Sequence, residues 1–258
     1  MIDGINDSLD KIKKKRILEL GDKITESEID SIFRMKVHSE KLAIKDAKMR
    51  TFIANDINRG SMVSHVYDVT YGLVKNEKDT LVVIDDSIVR GTTLKNSILE
   101  ILSRLKPKKI IVVSSAPQIR YPDCYGIDMS KMKRFVAFRA LLALLEENGK
   151  EHLIEETYHK CKAELEKPSS QIKNPVKDLY ELFDYDEVSD KIAEIITPKH
   201  LKQEVKIIYQ TIENLHKACP ENLGDWYFSG DYPTPGGMKV VNMAFINFFE
   251  GVDARAYM

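Results

Sequence analysis

Two adjacent carboxylates at the end of an apolar run are the residues of this chain best suited to chemistry. The run is Thr80-Leu-Val-Val-Ile84, and Asp85 and Asp86 follow it directly. Carboxylate oxygens accept hydrogen bonds from neighbouring sugar hydroxyls and also bind Mg²⁺, a hard cation that prefers oxygen ligands. A loop rich in hydroxyls comes next, at residues 87–93. This order of residue types suits a ligand that is both a sugar diol and a phosphate ester.

The loop at residues 87–93 has the composition of a phosphate-binding loop. Its backbone N–H groups can point at phosphate oxygens where a following helix dipole favours an anion. Gly91 lets the backbone approach a ligand closely or adopt a positive φ angle. Ser87, Thr92 and Thr93 add hydroxyl donors. Each residue type therefore has a separate role in holding a phosphate.

The elements on either side place this loop at the edge of a sheet. Residues 80–84 predict a strand buried on both faces of a parallel sheet, and residues 110–113 predict a second one. Between them, one helical stripe is formed by Leu94, Ile98, Ile101, Leu102 and Leu105. The helix is expected to end near Lys106-Pro107. These segments form a βαβ unit, and ligands of such sheets bind at the carboxyl ends of the strands.

Other interpretations of the acid pair compete with a sugar-phosphate site. An apolar strand followed by two acids also resembles the Walker B strand of a nucleotide hydrolase. That interpretation needs a GxxxxGK[ST] loop, and the chain contains none. No GxGxxG sequence supports a dinucleotide site either. A strand–turn–helix with a purely structural role remains open.

The segment VVIDDSIVRGTT at residues 82–93 resembles the phosphoribosyl pyrophosphate (PRPP) motif of type I phosphoribosyltransferases. Its SIVRGTT form is similar to the amidophosphoribosyltransferase family in particular. Residues 114–129, SSAPQIRYPDCYGIDM, resemble the family's segment after the next strand. A weaker likeness lies at residues 50–53, which resemble the start of a flexible loop over PRPP. Residues 224–237 resemble the carboxyl end of a long bacterial branch of the family. The resemblance implies an α/β fold: a type I phosphoribosyltransferase-like parallel sheet, incomplete here, then a mainly helical C-terminal region.

The resemblance also implies a reaction. The family displaces pyrophosphate from C1 of PRPP with ammonia, which gives 5-phosphoribosylamine, the first step of de novo purine synthesis. Asp85 and Asp86 would be the catalytic residues, binding the ribose hydroxyls and Mg²⁺. The PRPP-binding set would be Asp85, Asp86, Ser87, Ile88, Val89, Arg90, Gly91, Thr92 and Thr93. Lys48 and Arg50 flank the expected flexible loop. Their side chains are equally expected to contact pyrophosphate or to be simply solvated.

The N-terminal part of the chain departs from the family pattern. The family's glutaminase domain, which makes ammonia from glutamine, begins with a nucleophilic cysteine, whereas the first cysteine here is Cys124. Residues 5–47 are charged and predict helices, and no pyrophosphate loop is identified before Arg50. We therefore expect the C-terminal part of an amidophosphoribosyltransferase, inactive or very weak alone. A non-catalytic PRPP-binding regulator and a subunit of a split enzyme remain alternatives.

Composition limits the classes of partner and cofactor. Lys+Arg 39 and Asp+Glu 40 nearly cancel to a net charge of −1, so no nucleic-acid partner is expected. No apolar run or signal sequence indicates a membrane, and a cytoplasmic homo-oligomer is expected. The resemblance implies Mg²⁺, PRPP and ammonia. Three cysteines without a CxxC pair are too few for a four-thiolate cluster, so no iron–sulfur cluster is expected.

Chain organisation predicts three parts: a helical segment at residues 1–30, the PRPP-binding domain at 31–150, and a mainly helical region at 151–258. Within the last part, one amphipathic helix is predicted from Leu201, Val205, Ile208, Ile212 and Leu215. Two further polar residues follow the second strand. Arg120 suits either a phosphate or an ion pair at the sheet edge, and Asp128 suits a helix N-cap better than a ligand.

Overall fold

The computed structural model describes residues 2–21, 24–37, 39, 43–45, 67–69, 72–123 and 129–256. The chain divides into two units. The first contains residues 1–48 and 67–73, and the second contains residues 49–66 and 74–258. Lys48, Arg50 and Asp128 lie outside the described residues.

The first unit pairs two helices with a small antiparallel ribbon. Helix α1 is Ile2–Leu20 and α2 is Glu26–Phe33. Thr25 begins α2 through a capping box, because its side chain and that of Glu28 each accept a backbone N–H of the other residue. Strands β1, Ala43–Lys45, and β2, Tyr67–Val69, pair antiparallel. Helix was predicted for residues 5–47, and this was wrong at residues 43–45, which form β1 because they pair with β2.

The second unit is built on a three-stranded parallel sheet. Strands β3, Thr80–Asp85, β4, Lys109–Ser114, and β5, Glu204–Tyr209, lie in the order β3-β4-β5. The pairing of β3 with β4 across one helix confirms the predicted βαβ unit. The helix predicted across residues 201–215 was wrong, because residues 204–209 form β5 alongside β4. Helix there begins only at Ile212.

The helix after the site loop, α3, begins with a π-helical turn, Leu94–Ile98, and continues as an α-helix, Leu99–Ser103. The N–H of Leu99 donates to the carbonyl of Leu94, five residues back. This wider turn changes the middle position of the buried stripe by one residue and leaves its other members buried. Leu99 is therefore completely buried, whereas Ile98, which belonged to the predicted stripe, is only partly buried.

Seven more α-helices are described in the second unit: α4 Val136–Glu147, α5 His152–Leu165, α6 Val176–Tyr180, α7 Tyr185–Ile196, α8 Ile212–Ala218, α9 Trp226–Ser229 and α10 Pro235–Phe249. Two short 3-10 helices, Met132–Arg134 and Ser169–Gln171, are described as well. Helix α7 packs on β5 and on α4, and α10 packs on α5. The core between these layers is apolar, and Ile110, Phe138 and Ile192 are fully buried in it. The α/β class with a parallel sheet and a helical C-terminal region is confirmed.

Strand β3 differs from its prediction in burial. A strand buried on both faces was expected, but Val82 is 56% exposed and Ile84 is 41% exposed. Their register neighbours on β4, Ile111 and Val113, are partly buried. The opposite face is the buried one, because Ile110 and Val112 on β4 are inaccessible to solvent. The described sheet therefore has one covered face and one open apolar face.

Candidate functional site

Three polar residues end the three parallel strands in one row. The register pairs Asp85 of β3 with Ser114 of β4, and Ser114 with Tyr209 of β5. Because the strands are parallel, all three lie at the carboxyl edge, where ligands of such sheets bind. Ser114 and Tyr209 are buried and Asp85 is partly buried. The row forms the floor of the candidate site.

The acid pair is fixed in place by backbone hydrogen bonds. The N–H of Asp86 donates to Oδ1 of Asp85 at 3.0 Å, and the N–H of Ser87 donates to Oδ1 of Asp86 at 2.8 Å. The carbonyls of Asp85 and Asp86 accept from the N–H groups of Ser115 and Ala116 at 2.9 and 3.1 Å. The Ser115 hydroxyl lies within hydrogen-bond distance of both carbonyls. The segment after β4 therefore holds the end of β3.

The two carboxylates differ in environment. Asp86 is exposed, whereas Asp85 is partly buried beside it. Burial first, and then the hydrogen bond and negative charge of Asp86, raise the pKa of Asp85 from 3.8 to about 6. A cation or hydroxyl donors that bound the pair would favour its ionised form. The geometry thus suits ligands that bring a positive charge or hydrogen-bond donors.

The loop at residues 87–93 is anchored from below by apolar contacts. Ile88 is 3% exposed, and the Val89 carbonyl accepts from the N–H of Val136 at 2.8 Å. Gly91 has φ +69°, and a β-carbon there would lie 2.7 Å from Cγ2 of Ile196. Glycine is therefore required by both the backbone angle and the close packing.

The polar groups of the same loop lie on its open side. Thr92 and Thr93 are exposed, and Ser87 is partly exposed. Residues 92 and 93 are already helical and lead directly into the π-helical turn of α3. The N–H of Lys95 donates to the carbonyl of Gly91 at 2.9 Å, so only N–H groups before Lys95 are without an acceptor in the helix. Hydroxyls and N–H groups therefore lie together at a helix start beside the acid pair, and an anion site there stays a prediction.

Among the described residues, Arg120 has aromatic and amide partners and not the ion pair that was one of its two expected roles. Its guanidinium lies between two aromatic rings, 4.7 Å from the centroid of Tyr180 and 5.0 Å from that of Tyr185. Its Nε and Nη2 donate to Oε1 of Gln118 at 2.9 and 2.8 Å. Within the described part of the chain, no carboxylate forms a salt bridge with it. A contact between Arg120 and a phosphate stays a prediction.

The C-terminal arm supports the same segment. The N–H groups of Arg120 and Tyr121 both donate to the carbonyl of Tyr227, at 2.9 and 3.0 Å. The Tyr232 hydroxyl donates to the carbonyl of Pro122. The arm at residues 225–232 therefore holds the chain after β4, which in turn holds the acid pair.

Two site residues were missed from the sequence. Tyr209 ends β5 in the same row as Asp85, and Tyr185 connects the neighbouring strand ends. The Tyr185 hydroxyl donates to the carbonyl of Gln210 at 3.0 Å and accepts from the N–H of Gln118 at 2.9 Å. Tyr209 had no signal in the sequence because β5 was predicted as helix. Tyr185 begins α7 and had none because its bonds to Gln118 and Gln210 join residues far apart in the chain.

A magnesium ion fits the donor atoms of the acid pair. Mg²⁺ usually binds one or two carboxylates together with the phosphates of its substrate. Asp85 and Asp86 supply such carboxylates, at a strand end beside a phosphate-type loop. Among the residues that the structure describes, no cluster of three or more His, Cys, Asp or Glu offers a complete protein-only metal site. A metal shared with a phosphorylated ligand is thus the form that fits.

Comparison with known proteins supports the sequence resemblance over part of the chain. No protein-family model matches. Amidophosphoribosyltransferases of Pasteurella multocida and Haemophilus influenzae are each 47% identical over 58 residues, which is 22% of this chain and 11% of the relative. This stretch of the chain resembles amidophosphoribosyltransferases. The amidophosphoribosyltransferase of Saccharomyces cerevisiae is 38% identical over 90 residues, 34% of this chain and 17% of its own length.

One solved structure was also compared, the glutamine PRPP amidotransferase from B. subtilis complexed with ADP and GMP. It aligns with 75% of this chain and 32% of its own chain, at 22% identity and a TM-score of 0.38. The stretches that match the curated amidophosphoribosyltransferases named above cover between 11% and 17% of the length of those relatives.

Among the described residues, no helix is both long enough and apolar enough to cross a membrane.

Proposed function

We propose that this chain contains the PRPP-binding part of an amidophosphoribosyltransferase, which replaces the pyrophosphate of PRPP by ammonia to give 5-phosphoribosylamine in purine synthesis. The observation that supports this most is the direct connection between the acid pair and the anchored loop. Asp85 and Asp86 end β3, and residues 87–93 lead from them into α3. The similarity to named amidophosphoribosyltransferases supports the choice of family.

In the proposed site the acid pair binds the sugar. A ribose diol has two neighbouring O–H donors, and two adjacent carboxylates offer matching acceptors. Asp86 is exposed and reachable, and Asp85 lies lower, on the floor of the site. The pair would also stabilise positive charge that develops on the ribose when pyrophosphate leaves, since fixed negative groups act strongly near a developing cation. No covalent nucleophile is needed for this displacement.

The loop binds the 5-phosphate in the proposed site. Gly91 keeps the backbone close to α7, while the hydroxyls of Thr92 and Thr93 stay on the open side. The helix dipole of α3 and the backbone N–H groups that precede Lys95 favour an anion at this position. Mg²⁺, held by Asp85 and Asp86 together with the ligand's phosphates, would offset the charge of the leaving pyrophosphate. Ammonia attacks C1 and transfers a proton to solvent.

Binding is the direct test of this proposal, because no pyrophosphate loop was identified in the sequence. PRPP and ribose 5-phosphate, each with Mg²⁺, are titrated calorimetrically into the wild type and into Asp85→Asn/Asp86→Asn. The matched control is Asp190→Asn, which changes an exposed carboxylate on α7. We expect binding by the wild type and the control, and affinity weaker by about tenfold or more in the double variant. Equal affinity in all three proteins would overturn the role of the acid pair.

Turnover is measured separately, as phosphoribosylamine formed from PRPP and ammonium ions. We expect little or no turnover from the chain alone, as the sequence comparison with the family suggested. Turnover at the rate of an ordinary enzyme would contradict that expectation and leave the binding proposal intact. Tight binding without turnover would also agree with a regulator or with one subunit of a split enzyme.

A further inference from the structure

The hydroxyl of Tyr209 is a buried polar group for which the fold offers no partner. Tyr209 is 6% exposed, and its hydroxyl oxygen is buried without a hydrogen-bond partner among the described residues. Leaving a buried hydroxyl unpaired is unfavourable, so such groups in folded proteins usually serve a ligand, a water or a neighbouring charge. The position of this hydroxyl therefore needs an explanation beyond packing.

The neighbours of Tyr209 exclude the simplest partners. The Tyr185 ring meets the Tyr209 ring edge to face with centroids 6.5 Å apart, but its hydroxyl is already bonded to Gln118 and Gln210. Ser114 lies between Tyr209 and Asp85 in the row, and its hydroxyl donates to the carbonyl of Ala116 at 2.8 Å. The remaining acceptor in the row is the carboxylate of Asp85.

Strand register places Tyr209 and Asp85 two strands apart on the same face of the sheet. Neighbouring strands lie about 4.8 Å apart, so two spacings, roughly 10 Å, separate the Cα atoms of Asp85 and Tyr209. Both side chains belong to the covered face of the sheet, and the residue between them is the small Ser114. Burial, then Tyr185 and then the charge of Asp85 raise the pKa of the Tyr209 phenol, which agrees with this proximity.

We propose that Tyr209 is a positioning residue for the acid pair, with its phenol donating toward the Asp85 carboxylate through one bound water. A water bridge contributes nearly as much as a direct hydrogen bond, and it suits two polar groups beyond direct contact. The Asp86 N–H already holds one oxygen of Asp85, so a second donor from the floor would fix the orientation of the carboxylate. Asp85 would then present a defined face to a ligand hydroxyl.

The test is a double-mutant cycle on the full chain without ligand, which does not depend on the proposed function. Urea unfolding is measured for the wild type, Tyr209→Phe, Asp85→Ala and the double variant. We expect Tyr209→Phe to lower the folding equilibrium constant about fivefold in the wild type and to have no effect in Asp85→Ala. Equal effects in both backgrounds, or no effect in either, would overturn the proposal.

A matched control removes the hydroxyl of another buried phenol that is not part of the row. Tyr180 is 1% exposed, and its hydroxyl donates to the carbonyl of Arg120. Tyr180→Phe should show no coupling to Asp85→Ala, and coupling of the same size would mean that the cycle reports general destabilisation, which would also overturn the proposal. If Asp85→Ala does not fold, Asp85→Asn takes its place in the same cycle.

A ligand arm separates this inference from the proposed function. If the wild type binds ribose 5-phosphate with Mg²⁺, Tyr209→Phe should bind about fivefold more weakly and Tyr180→Phe should bind equally well. Unchanged affinity in Tyr209→Phe would contradict the positioning role while the proposed function stands. If the wild type does not bind, the proposed function fails, and the ligand-free cycle still decides the inference.

Discussion

Gly91 and Ile196 approach so closely that a β-carbon on Gly91 would lie 2.7 Å from Cγ2 of Ile196. The contact joins the loop after the acid pair to the last residue of α7, and α7 itself packs on β5 and α4. The loop is thus held against the core of the second unit by its glycine, while its hydroxyls remain on the open side.

Gly91→Ala tests whether this contact shapes the loop. The substitution adds a side chain at φ +69° and a clash with Ile196, so we expect it to lower the free energy of unfolding by about 2–4 kcal/mol. Gly149→Ala is the control, because Gly149 also has a positive φ of 65° but has nothing within 4 Å of its would-be β-carbon. Urea denaturation should show a loss of only about 1–2 kcal/mol in the control. Equal losses would show that Ile196 does not constrain the loop.

The raised pKa of Asp85 makes the stability of the ligand-free protein depend on pH. Because its folded pKa of about 6 exceeds 3.8, the folded state binds more protons than the unfolded state between these values. Stability should therefore fall as pH rises through this window and stay level above it. Asp85→Asn removes this slope, and after allowance for solvent screening it should be more stable than wild type at pH 8 by about 1–2 kcal/mol.

Urea unfolding in the presence of EDTA, at several pH values from 4 to 8, measures this difference. The chelator is needed because a bound cation would favour the ionised acid pair. Asp190→Asn should follow the wild-type profile, since Asp190 is an exposed residue of α7 and is not part of the row. A constant difference between Asp85→Asn and the wild type at every pH would rule out a raised pKa at Asp85.

Ligand affinity should depend on pH in the opposite direction. If the ionised acid pair binds the ribose diol and Mg²⁺, the affinity for ribose 5-phosphate should weaken as pH falls below about 6. The phosphate itself protonates near pH 6, so part of this loss belongs to the ligand. The pH dependence of binding by Asp85→Asn measures the ligand's part alone, because this variant has no Asp85 charge to lose. The wild type loses both the phosphate charge and the Asp85 charge. Calorimetry should give a steeper loss for the wild type, and equal slopes would contradict the role of Asp85.

A negative charge in the loop should repel the phosphate without unfolding the protein. Thr92 is exposed at the start of α3, where an acidic residue is compatible with the helix dipole. Thr92→Glu should therefore keep the stability of the wild type but weaken binding of ribose 5-phosphate about tenfold or more, through repulsion at close range.

Asn96→Glu is the control for this charge. Asn96 is exposed on the π-helical turn of the same helix, beyond the loop. Its variant carries the same added charge farther from the loop and should bind ribose 5-phosphate within about twofold of the wild type. Equal weakening in both variants would indicate a general effect of net charge and not a phosphate at residues 87–93.

The local chemistry of this site was predictable from the sequence because it lies within one βαβ unit. The acids, the glycine and the hydroxyls are adjacent in the chain, and the strand and helix beside them have clear apolar patterns. The π-helical turn was not predictable, because it moves Leu99 into the core without changing the composition of the stripe.

The non-local part of the site was not predictable for a different reason. Leu201, Val205 and Ile208 recur at helical spacing, yet Val205, Ile207 and Tyr209 lie on one face of a strand. Pairing with β4 decides between these two interpretations, and that pairing joins Lys109 to Glu204 across the whole helical region between them. Likewise, the exposure of Val82 and Ile84 depends on what covers the sheet and not on their own residue types.

A crystal structure of the chain with ribose 5-phosphate and Mg²⁺ would show directly whether the acid pair and the loop bind a sugar phosphate. We expect the phosphate within hydrogen-bond distance of the backbone N–H groups of residues 87–93, and the ribose hydroxyls on Asp85 and Asp86. Crystals of Asp85→Asn/Asp86→Asn grown with the same ligand and Mg²⁺ should lack the ligand. A ligand bound elsewhere, or bound at the loop with its hydroxyls turned away from both carboxylates, would contradict the account.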